Sequence, residues 1–245
     1  MAGKSGHIGF EPLPLPYPST PAPPYSSVQN TYWDLCGGYT VILEDSWRFF
    51  CDQMYQDWTF KKQEKFLKIE NRQSDKYRVK GLRMSGEFVS KNPTGFGYGS
   101  TMENLKHQLF GIESFKEMPS IDPKSVKLIE QPGINTNVLT YTEKYSWPMS
   151  SREYLTVEQI KKDPITGNFM IIGAPVTVAS VPVKEKPIRA FQEYLFILEN
   201  SKLNPNNVFG TFYVFFDICG DISPADQDSG IGEIVKMFLE LPKYI

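Results

Sequence analysis

The chain has 245 residues, of which 26 are Lys or Arg and 28 are Asp or Glu, for a formal net charge of -2. This length suits one large domain or one domain with a tail, and it can bury a sizeable core. A nearly neutral chain lacks the clustered basic excess that phosphate binding needs, so we expect no nucleic-acid partner. No stretch approaches the ~18 apolar residues of a membrane-spanning helix. The three widely spaced cysteines predict reduced thiols and therefore a cytoplasmic protein.

Residues 1–27 are predicted to form a disordered tail that is rich in proline. Proline removes backbone donors, and the tail has no periodic apolar pattern from which a core could form. The run Leu13–Pro18 favours an extended polyproline conformation. The tail is therefore either a plain flexible segment or a ligand for the aromatic-lined groove of an adaptor domain.

A folded domain is predicted over 28–245. Its first helix is predicted to begin at Asp45 or Ser46, since either residue can cap a helix. Apolar residues follow that cap at helical spacing: Trp47, Phe50, Cys51 and Met54.

Two strands and a second helix are predicted next. The strands fall at 66–69 and 77–89 and are followed by a glycine-rich loop at 92–99. The helix begins at Thr101, and its apolar face consists of Met102, Leu105, Leu109, Ile112 and Phe115.

Beyond Pro119 the chain alternates β-rich segments with turn signals, which predicts a run of antiparallel hairpins. The predicted strands cover 126–131, 137–146, 152–160, 168–178, 187–199 and 208–218. A last helix is predicted from Ser229, with an apolar face of Ile231, Ile234, Val235, Phe238 and Leu239. Because so many successive hairpins must curl, a helix that closes the curled sheet leaves a concave interior. The predicted fold class is therefore α+β rather than a parallel doubly wound sheet.

Catalytic motifs are missing from the sequence. Its two histidines are His7 in the tail and His107, which lies off the apolar face of the second helix. No nucleophile elbow, phosphate loop, paired metal motif or dinucleotide fingerprint is present. We therefore expect a protein that is not an enzyme and needs no cofactor.

The segment from Lys144 to Leu155, KYSWPMSSREYL, resembles a motif of the START lipid-transfer family. Three further stretches resemble other motifs of this family in the right order: Ser120–Pro123, Pro187–Ala190 and Asp217–Pro224. The likeness covers 57–245 and is greatest to phosphatidylcholine-binding members. It implies a START helix-grip fold, in which a curved antiparallel sheet surrounds a lipid tunnel that the C-terminal helix closes. The bound lipid is then expected to be a phospholipid such as phosphatidylcholine, with sterol, ceramide or another lipid as alternatives.

The resemblance also implies which residues contact the head group. Phosphatidylcholine-binding members hold choline in an aromatic cage, which suits a quaternary ammonium because ring faces are negative. The matching cage and acidic positions are Tyr141, Tyr154, Glu193 (beside Tyr194) and Asp122. Met118 occupies the position of the phosphate-binding arginine, and the candidate replacements are Arg189, Lys116 and Lys124. The alternative is that Tyr141 and Tyr154 are ordinary aromatic residues lining the sheet and do not bind a head group.

Strand alternation adds an acidic candidate. Sterol-binding members pair an inward acid with an inward arginine, whereas the matching positions here hold Leu139 and Glu158, which disfavours a sterol. Because side chains alternate along a strand, Glu143 is expected on the inward face with Tyr141. Inward carboxylates need partners. Glu143 is therefore a candidate contact for a cationic or hydroxyl-rich head group.

A gate is implied at the tunnel mouth, formed by the loop that carries Trp147 and Met149 and by Ile234 and Phe238 of the last helix. Tryptophan favours a membrane interface because its ring is both apolar and hydrogen-bonding. We expect this loop to contact a membrane transiently while the monomeric protein exchanges lipid. The family helix continues beyond Ile245, which predicts a truncated or short closing helix. The alternative function is a lipid sensor that binds without transfer.

Overall fold

The computed structural model describes residues 32–74, 76–77, 80–89, 101–145, 150–204, 206–220 and 224–243. The predicted tail and the glycine-rich loop lie outside the described residues. The same holds for the predicted gate residues Trp147 and Met149.

Helices and a large sheet make up the described part of the chain. The helices are α1 Tyr39–Met54, α2 Thr101–Leu109, α3 Ile112–Glu117 and α4 Pro224–Glu240, which runs into a short 3-10 turn at Leu241–Lys243. The strands are β1 Thr59–Glu64, β2 Leu67–Arg72, β3 Gly81–Phe88, β4 Lys127–Gly133, β5 Thr136–Glu143, β6 Arg152–Lys162, β7 Phe169–Pro175, β8 Ile188–Arg189, β9 Phe191–Asn200 and β10 Val208–Asp217.

The strands form one curved sheet in the order β1-β2-β3-β10-β9-β7-β6-β5-β4. Neighbours along this path are antiparallel, and the two-residue strand β8 pairs parallel to β6 at its start. The predicted α+β class with an antiparallel sheet and helices is confirmed. Since the β-hairpins keep sequence neighbours together, the order from β4 to β7 follows directly from the turns.

Each face of the sheet packs against its own helices. Strand alternation sends Leu195 and Ile197 of β9 toward α1, where they join Trp47 and Phe50. The intervening residues belong to the opposite core, which α2 and α4 cover: Tyr194, Phe196 and Leu198. The candidate functional site lies on this second face.

Three predicted helix boundaries are wrong, and the strand predicted over 187–199 is two strands, β8 and β9. Helix α1 begins at Tyr39 rather than at Asp45, because Thr40 and Leu43 extend the buried stripe by one further turn. Helix α4 begins at Pro224 rather than at Ser229, and proline suits a first helical turn because its missing N–H has no partner there in any case.

The third correction concerns the helix predicted from Thr101, which is two helices. Gly111 breaks it with a φ of +93°, a conformation that strongly favours glycine. Its N–H donates to Glu158 Oε1 at 3.0 Å, so the break is held by the sheet below. Strand β1 is absent from the predicted elements because its residues are polar and largely exposed at the sheet edge.

Candidate functional site

A cavity lies between the sheet, the α2–α3 segment and α4. The space among its lining atoms is about 620 Å³, a figure that includes part of its opening to solvent. Most lining side chains are apolar or aromatic, and they are Leu109, Phe115, Met118, Ile121, Tyr141, Tyr154, Tyr194, Phe196, Val214, Phe216, Ile234, Met237 and Phe238. The polar side chains on it are Ser120, Glu143, Gln192 and Glu233. A mostly apolar concavity with a few convergent polar groups is the usual form of a small-molecule site.

Tyr141 and Tyr154 form the aromatic part of the cavity wall. They are directly opposite in the β5–β6 ladder, and their rings stack at 5.1 Å. Phe115 of α3 adds a third ring at 4.6 Å from Tyr141. The Tyr141 hydroxyl donates to Gln192 Oε1 at 2.8 Å, which connects β5 to β9. These rings form a stack rather than an open box.

Glu143 lies at the end of β5 beside this stack. Its carboxylate accepts a hydrogen bond of 2.7 Å from Tyr145, whose hydroxyl is also 3.0 Å from that of Tyr154. The side chain is half-buried, and it forms part of the cavity lining. Burial raises the pKa of the Glu143 carboxyl, and the hydrogen bond from Tyr145 opposes that shift. The carboxyl therefore lies where a ligand in the cavity can contact it.

Glu158 is a second acid on the same face of the sheet, beneath the cavity wall. It is fully buried and accepts hydrogen bonds from the Tyr194 hydroxyl, the Asn137 amide and the Gly111 N–H. Burial raises the pKa of Glu158 to about 7, although these three donors act to lower it. The acid therefore links β5, β6, β9 and the α2–α3 break.

The α4 helix forms the lid of the cavity. Phe238 is fully buried, with its ring 4.4 Å from Phe212 and 5.5 Å from Phe196. Ile234 lies one turn earlier on the same face and lines the cavity, as Glu233 and Met237 do. The structure thus brings the predicted residues Tyr141, Tyr154, Glu143, Tyr194, Ile234 and Phe238 together around one cavity.

Glu193 lies on the opposite face of the sheet from the cavity. It accepts hydrogen bonds from Ser46 of α1, from Tyr77 at 2.9 Å and from Lys76 at 2.7 Å. The reason is strand alternation, because its neighbours Gln192 and Tyr194 are the residues that point inward. The position predicted for a cage residue therefore ties β9 to α1.

Arg189 and Asp122 also lie off the cavity lining. Arg189 is buried and donates two hydrogen bonds to one oxygen of Glu153, at 2.7 and 3.1 Å, which fixes β8 against β6. Asp122 is half-buried in the turn before β4, where its carboxylate accepts from the Lys124 N–H at 3.3 Å. Of the other two candidates for phosphate, Lys116 pairs with Glu113 at 2.8 Å on the surface of α3, and Lys124 is exposed in the turn before β4.

Gln192 and Glu233 are lining residues that the sequence did not reveal. Gln192 lies two residues before Tyr194 on β9. The alternation that places Tyr194 inward therefore also places Gln192 inward, and the predicted Glu193 is one residue out of register with both. Glu233 lies on α4, next to Ile234, and its position depends on how the helix docks. No sequence signal marks it.

Charge on the lining is of one sign. Among the described residues, no Lys, Arg or His lines the cavity, whereas two glutamates do. No group of three His, Cys, Asp or Glu in the described part of the chain is placed to hold a metal ion. Among the described helices, none is long and apolar enough to cross a membrane.

Gly173 of β7 allows the Tyr194 ring to lie flat on the sheet. A Cβ atom at position 173 would lie 2.1 Å from Tyr194 Cζ. We expect Gly173→Ala to push Tyr194 off Glu158 and to lower the free energy of unfolding by about 1–3 kcal/mol, the usual cost of overpacking a core. Urea denaturation measures this change.

The matched control is Gly232→Ala in α4. A Cβ atom there meets nothing within 4 Å, and alanine favours a helix by about 1 kcal/mol over glycine. Equal behaviour of the two variants would contradict the close contact at Gly173.

Comparison of the sequence with protein-family models finds no match, and comparison with curated proteins finds none. Solved structures do match. Human StAR-related lipid transfer protein 5 aligns over 84% of this chain and 95% of its own, with a TM-score of 0.69 and 13% identity. Human STARD10 aligns over 80% and 77%, with a TM-score of 0.64 and 16% identity.

The lipid transfer and protein localization domain of human StarD13 aligns over 82% of this chain and 94% of its own, with a TM-score of 0.58 and 16% identity. At such low sequence identity, these structures are similar to this chain in fold alone. The chain has the START helix-grip fold, with a curved antiparallel sheet and a C-terminal helix on it.

Proposed function

We propose that this protein binds a single lipid in the cavity beneath α4 and carries it between membranes without catalysing a reaction. The observation that supports this most directly is a largely apolar cavity closed by one amphipathic helix. Moving ~30 methylenes through water at ~0.8 kcal/mol each costs on the order of 20 kcal/mol. A cavity that shields those methylenes removes most of this cost. Two structures with the same fold carry names that include lipid transfer.

Lipid entry requires α4 to move. If a methylene occupies ~30 Å³, as a water molecule does in the liquid, a diacyl lipid with ~30 methylenes needs on the order of 900 Å³. The space among the lining atoms is about 620 Å³ and includes part of the opening, so the closed cavity is too small for two full chains, and in this proposal α4 swings outward to admit them. A lid that swings out at a membrane and closes afterwards suits a carrier. In this proposal the loop at Trp147 and Met149 inserts into the bilayer during exchange.

Phosphatidylcholine is the specific ligand that we propose from the sequence resemblance. Glu143 offers negative charge to choline, and Tyr141 and Tyr154 offer aromatic surface. Met118 lines the cavity where the resemblance implies a phosphate-binding arginine, so the phosphate would have to remain near the solvent-exposed opening.

Organic extraction of the purified protein, followed by lipid mass spectrometry, identifies the ligand class. We expect a stoichiometric phospholipid. Recovery of sterol alone would rule out phosphatidylcholine and leave lipid binding intact, and recovery of no lipid after incubation with mixed vesicles would count against the whole proposal.

Ile234→Trp tests whether this cavity is the site of transport. The larger side chain is expected to fill the cavity under α4 and to reduce transfer of fluorescent phosphatidylcholine between vesicles to near background. Val41→Trp on exposed α1 surface is the matched control and should transfer normally. Binding without transfer in the unmodified protein would instead indicate a lipid sensor, and a normal rate for Trp147→Ala would remove the loop from the proposal.

A further inference from the structure

Basic residues are concentrated in one short segment of the chain. Residues 55–83 hold nine Lys or Arg and four Asp or Glu, a formal charge of +5 in a chain whose total is -2. The rest of the chain therefore carries a formal charge of -7. The nearly neutral total gives no sign of this separation, yet a charged partner that touches one side of the molecule responds to the local excess.

This segment forms one edge of the sheet, with β1 as its outermost strand and β2 and β3 beside it. Because neighbours along the sheet are antiparallel, β2 ends and β3 begins at the same end of the sheet where β5 ends and β6 begins. The two connections are four strand spacings apart, or roughly 20 Å along the sheet. Strand β10 also ends there and leads into α4, so this is the sheet end at which the lid begins.

Exposed lysines project from this edge, and they are Lys61, Lys62, Lys76 and Lys80. Lys62 and Lys76 each pair with a glutamate. In the described part of the chain, neither Lys61 nor Lys80 belongs to an ion pair, so both charges face solvent uncompensated. A β-bulge between Phe60 and Lys62 also leaves Lys61 without a register partner on β2.

Protection of the sheet edge explains only part of this pattern. Lysine and a bulge on an outer strand commonly prevent pairing with another chain. Lys80, however, lies in the β2–β3 connection and is no part of the edge strand. Exposed aromatic residues also oppose such protection, since Tyr55 after α1 is 70% exposed and Phe60 on β1 is 56% exposed. Lysines beside aromatic rings suit a membrane interface, where lysine meets anionic head groups and the rings lie among them.

Trp58 distinguishes a membrane from nucleic acid as the partner. Bases of single-stranded nucleic acid stack on open aromatic faces. The Arg83 guanidinium lies 5.1 Å from the centroid of the Trp58 ring, and the rings of Tyr213 and Phe215 lie at 5.7 and 5.9 Å. The negative charge on the rest of the chain would repel a long polyanion that wraps the protein, whereas a bilayer touches one side of it.

From these observations we infer that β1 and the β2–β3 connection form a docking surface for membranes that contain anionic lipids. Lys61 and Lys80 contact the head groups, and Tyr55 and Phe60 enter the interface. The bilayer repels the acidic remainder of the chain, which favours one orientation with the start of α4 toward the membrane. The benefit of that orientation rests on the proposed lipid exchange, whereas docking itself is independent of what the cavity holds.

Sedimentation with sucrose-loaded vesicles tests this docking on the full chain. Vesicles of phosphatidylcholine with phosphatidylserine are compared with vesicles of phosphatidylcholine alone. Each basic residue near an anionic surface contributes about fivefold in affinity, so the two uncompensated lysines predict a preference of at least about twenty-fivefold for the anionic vesicles. High salt should remove this preference, because it screens exposed charges.

Two double variants with the same change in net charge locate the contact. Lys61→Glu/Lys80→Glu should lose the preference for anionic vesicles. Lys162→Glu/Lys202→Glu is the matched control, because both lysines are exposed at the opposite end of the sheet, after β6 and after β9. The control should keep most of the preference, since its charges lie more than a Debye length of ~10 Å from the docked end.

Phe60→Ala tests the aromatic part of the surface. It should weaken binding to anionic vesicles about fivefold, the value of roughly half a buried phenylalanine side chain. Ile165→Ala, at a 78% exposed position in the β6–β7 turn, is the control and should bind normally.

Equal binding to the two kinds of vesicle, or equal losses in the two double variants, would overturn the docking surface. Tighter binding of single-stranded RNA than of anionic vesicles in direct competition would overturn it too, and would make the surface a nucleic-acid site. Either result leaves the proposed function standing if lipid is recovered from the cavity. Normal docking by a protein that binds no lipid would support this surface and remove the proposed function.

Discussion

Phe238→Ala is expected to detach the lid from the sheet. The ring is fully buried against Phe212 and Phe196, and deleting it removes a large apolar surface and leaves a cavity. Such a deletion costs about 3–5 kcal/mol in a core that cannot collapse. Helix α4 packs on the sheet through one face and covers the cavity, so it can respond by opening locally rather than by unfolding the whole domain. We therefore expect rapid hydrogen exchange throughout α4 and a leaky cavity that releases bound lipid.

Phe50→Ala is the matched control, because Phe50 is an equally buried phenylalanine on the other face of the sheet. Its neighbours are Phe49, Tyr213 and Phe215 in the α1 core. Its loss should lower the global free energy of unfolding by a similar ~3–5 kcal/mol while α4 keeps its protection. If Phe238→Ala instead unfolds the protein globally, or retains lipid as well as Phe50→Ala does, then α4 is not an independently opening lid.

The fold could be predicted because the strands after Pro119 alternate strongly and are joined by short turns. In β9, for instance, Leu195 and Ile197 face α1 while Tyr194 and Phe196 face α4. The same alternation predicted that Glu143 shares a face with Tyr141, and both line the cavity. Local pattern therefore determines which side chains share a face of the sheet.

Matching by motif position is less reliable than alternation for single residues. It placed a head-group contact at Glu193, one residue away from inward-facing Tyr194, and a shift of one residue reverses the face. Arg189 illustrates a different difficulty. Its ion pair with Glu153 depends on the parallel contact of β8 with β6, and no local signal predicts a contact of that kind.

Helix positions were the least predictable part of the site. Capping residues suggested a start at Asp45, yet packing of Leu43 against the sheet extends α1 to Tyr39. The lid acid Glu233 was missed because nothing in α4 itself distinguishes a charge at a cavity opening from an ordinary exposed charge. Only the docking of α4 on β10 and β9 makes that distinction.

Glu158→Gln is expected to remove a large part of the dependence of stability on pH. The Glu158 carboxyl has a pKa of about 7 in the folded protein, against an ordinary value of 4.5, because burial disfavours its charge. A raised folded pKa stabilises the fold fully below pH 4.5, and this contribution is lost as the pH rises toward 7. The difference of 2.5 pKa units, at 1.36 kcal/mol each, corresponds to about 3 kcal/mol.

Glutamine copies the protonated acid in this position. Its oxygen can accept from Asn137 and Gly111 as Glu158 Oε1 does, and its amide N–H can donate to the Tyr194 hydroxyl. Urea denaturation at several pH values should therefore show nearly equal stability at pH 4.5 and an advantage of about 3 kcal/mol for the variant at pH 8. Exposed Glu117→Gln is the control and should follow the unmodified protein. Equal slopes for Glu158→Gln and the unmodified protein would mean that Glu158 stays ionised in the fold, and that its three donors outweigh its burial.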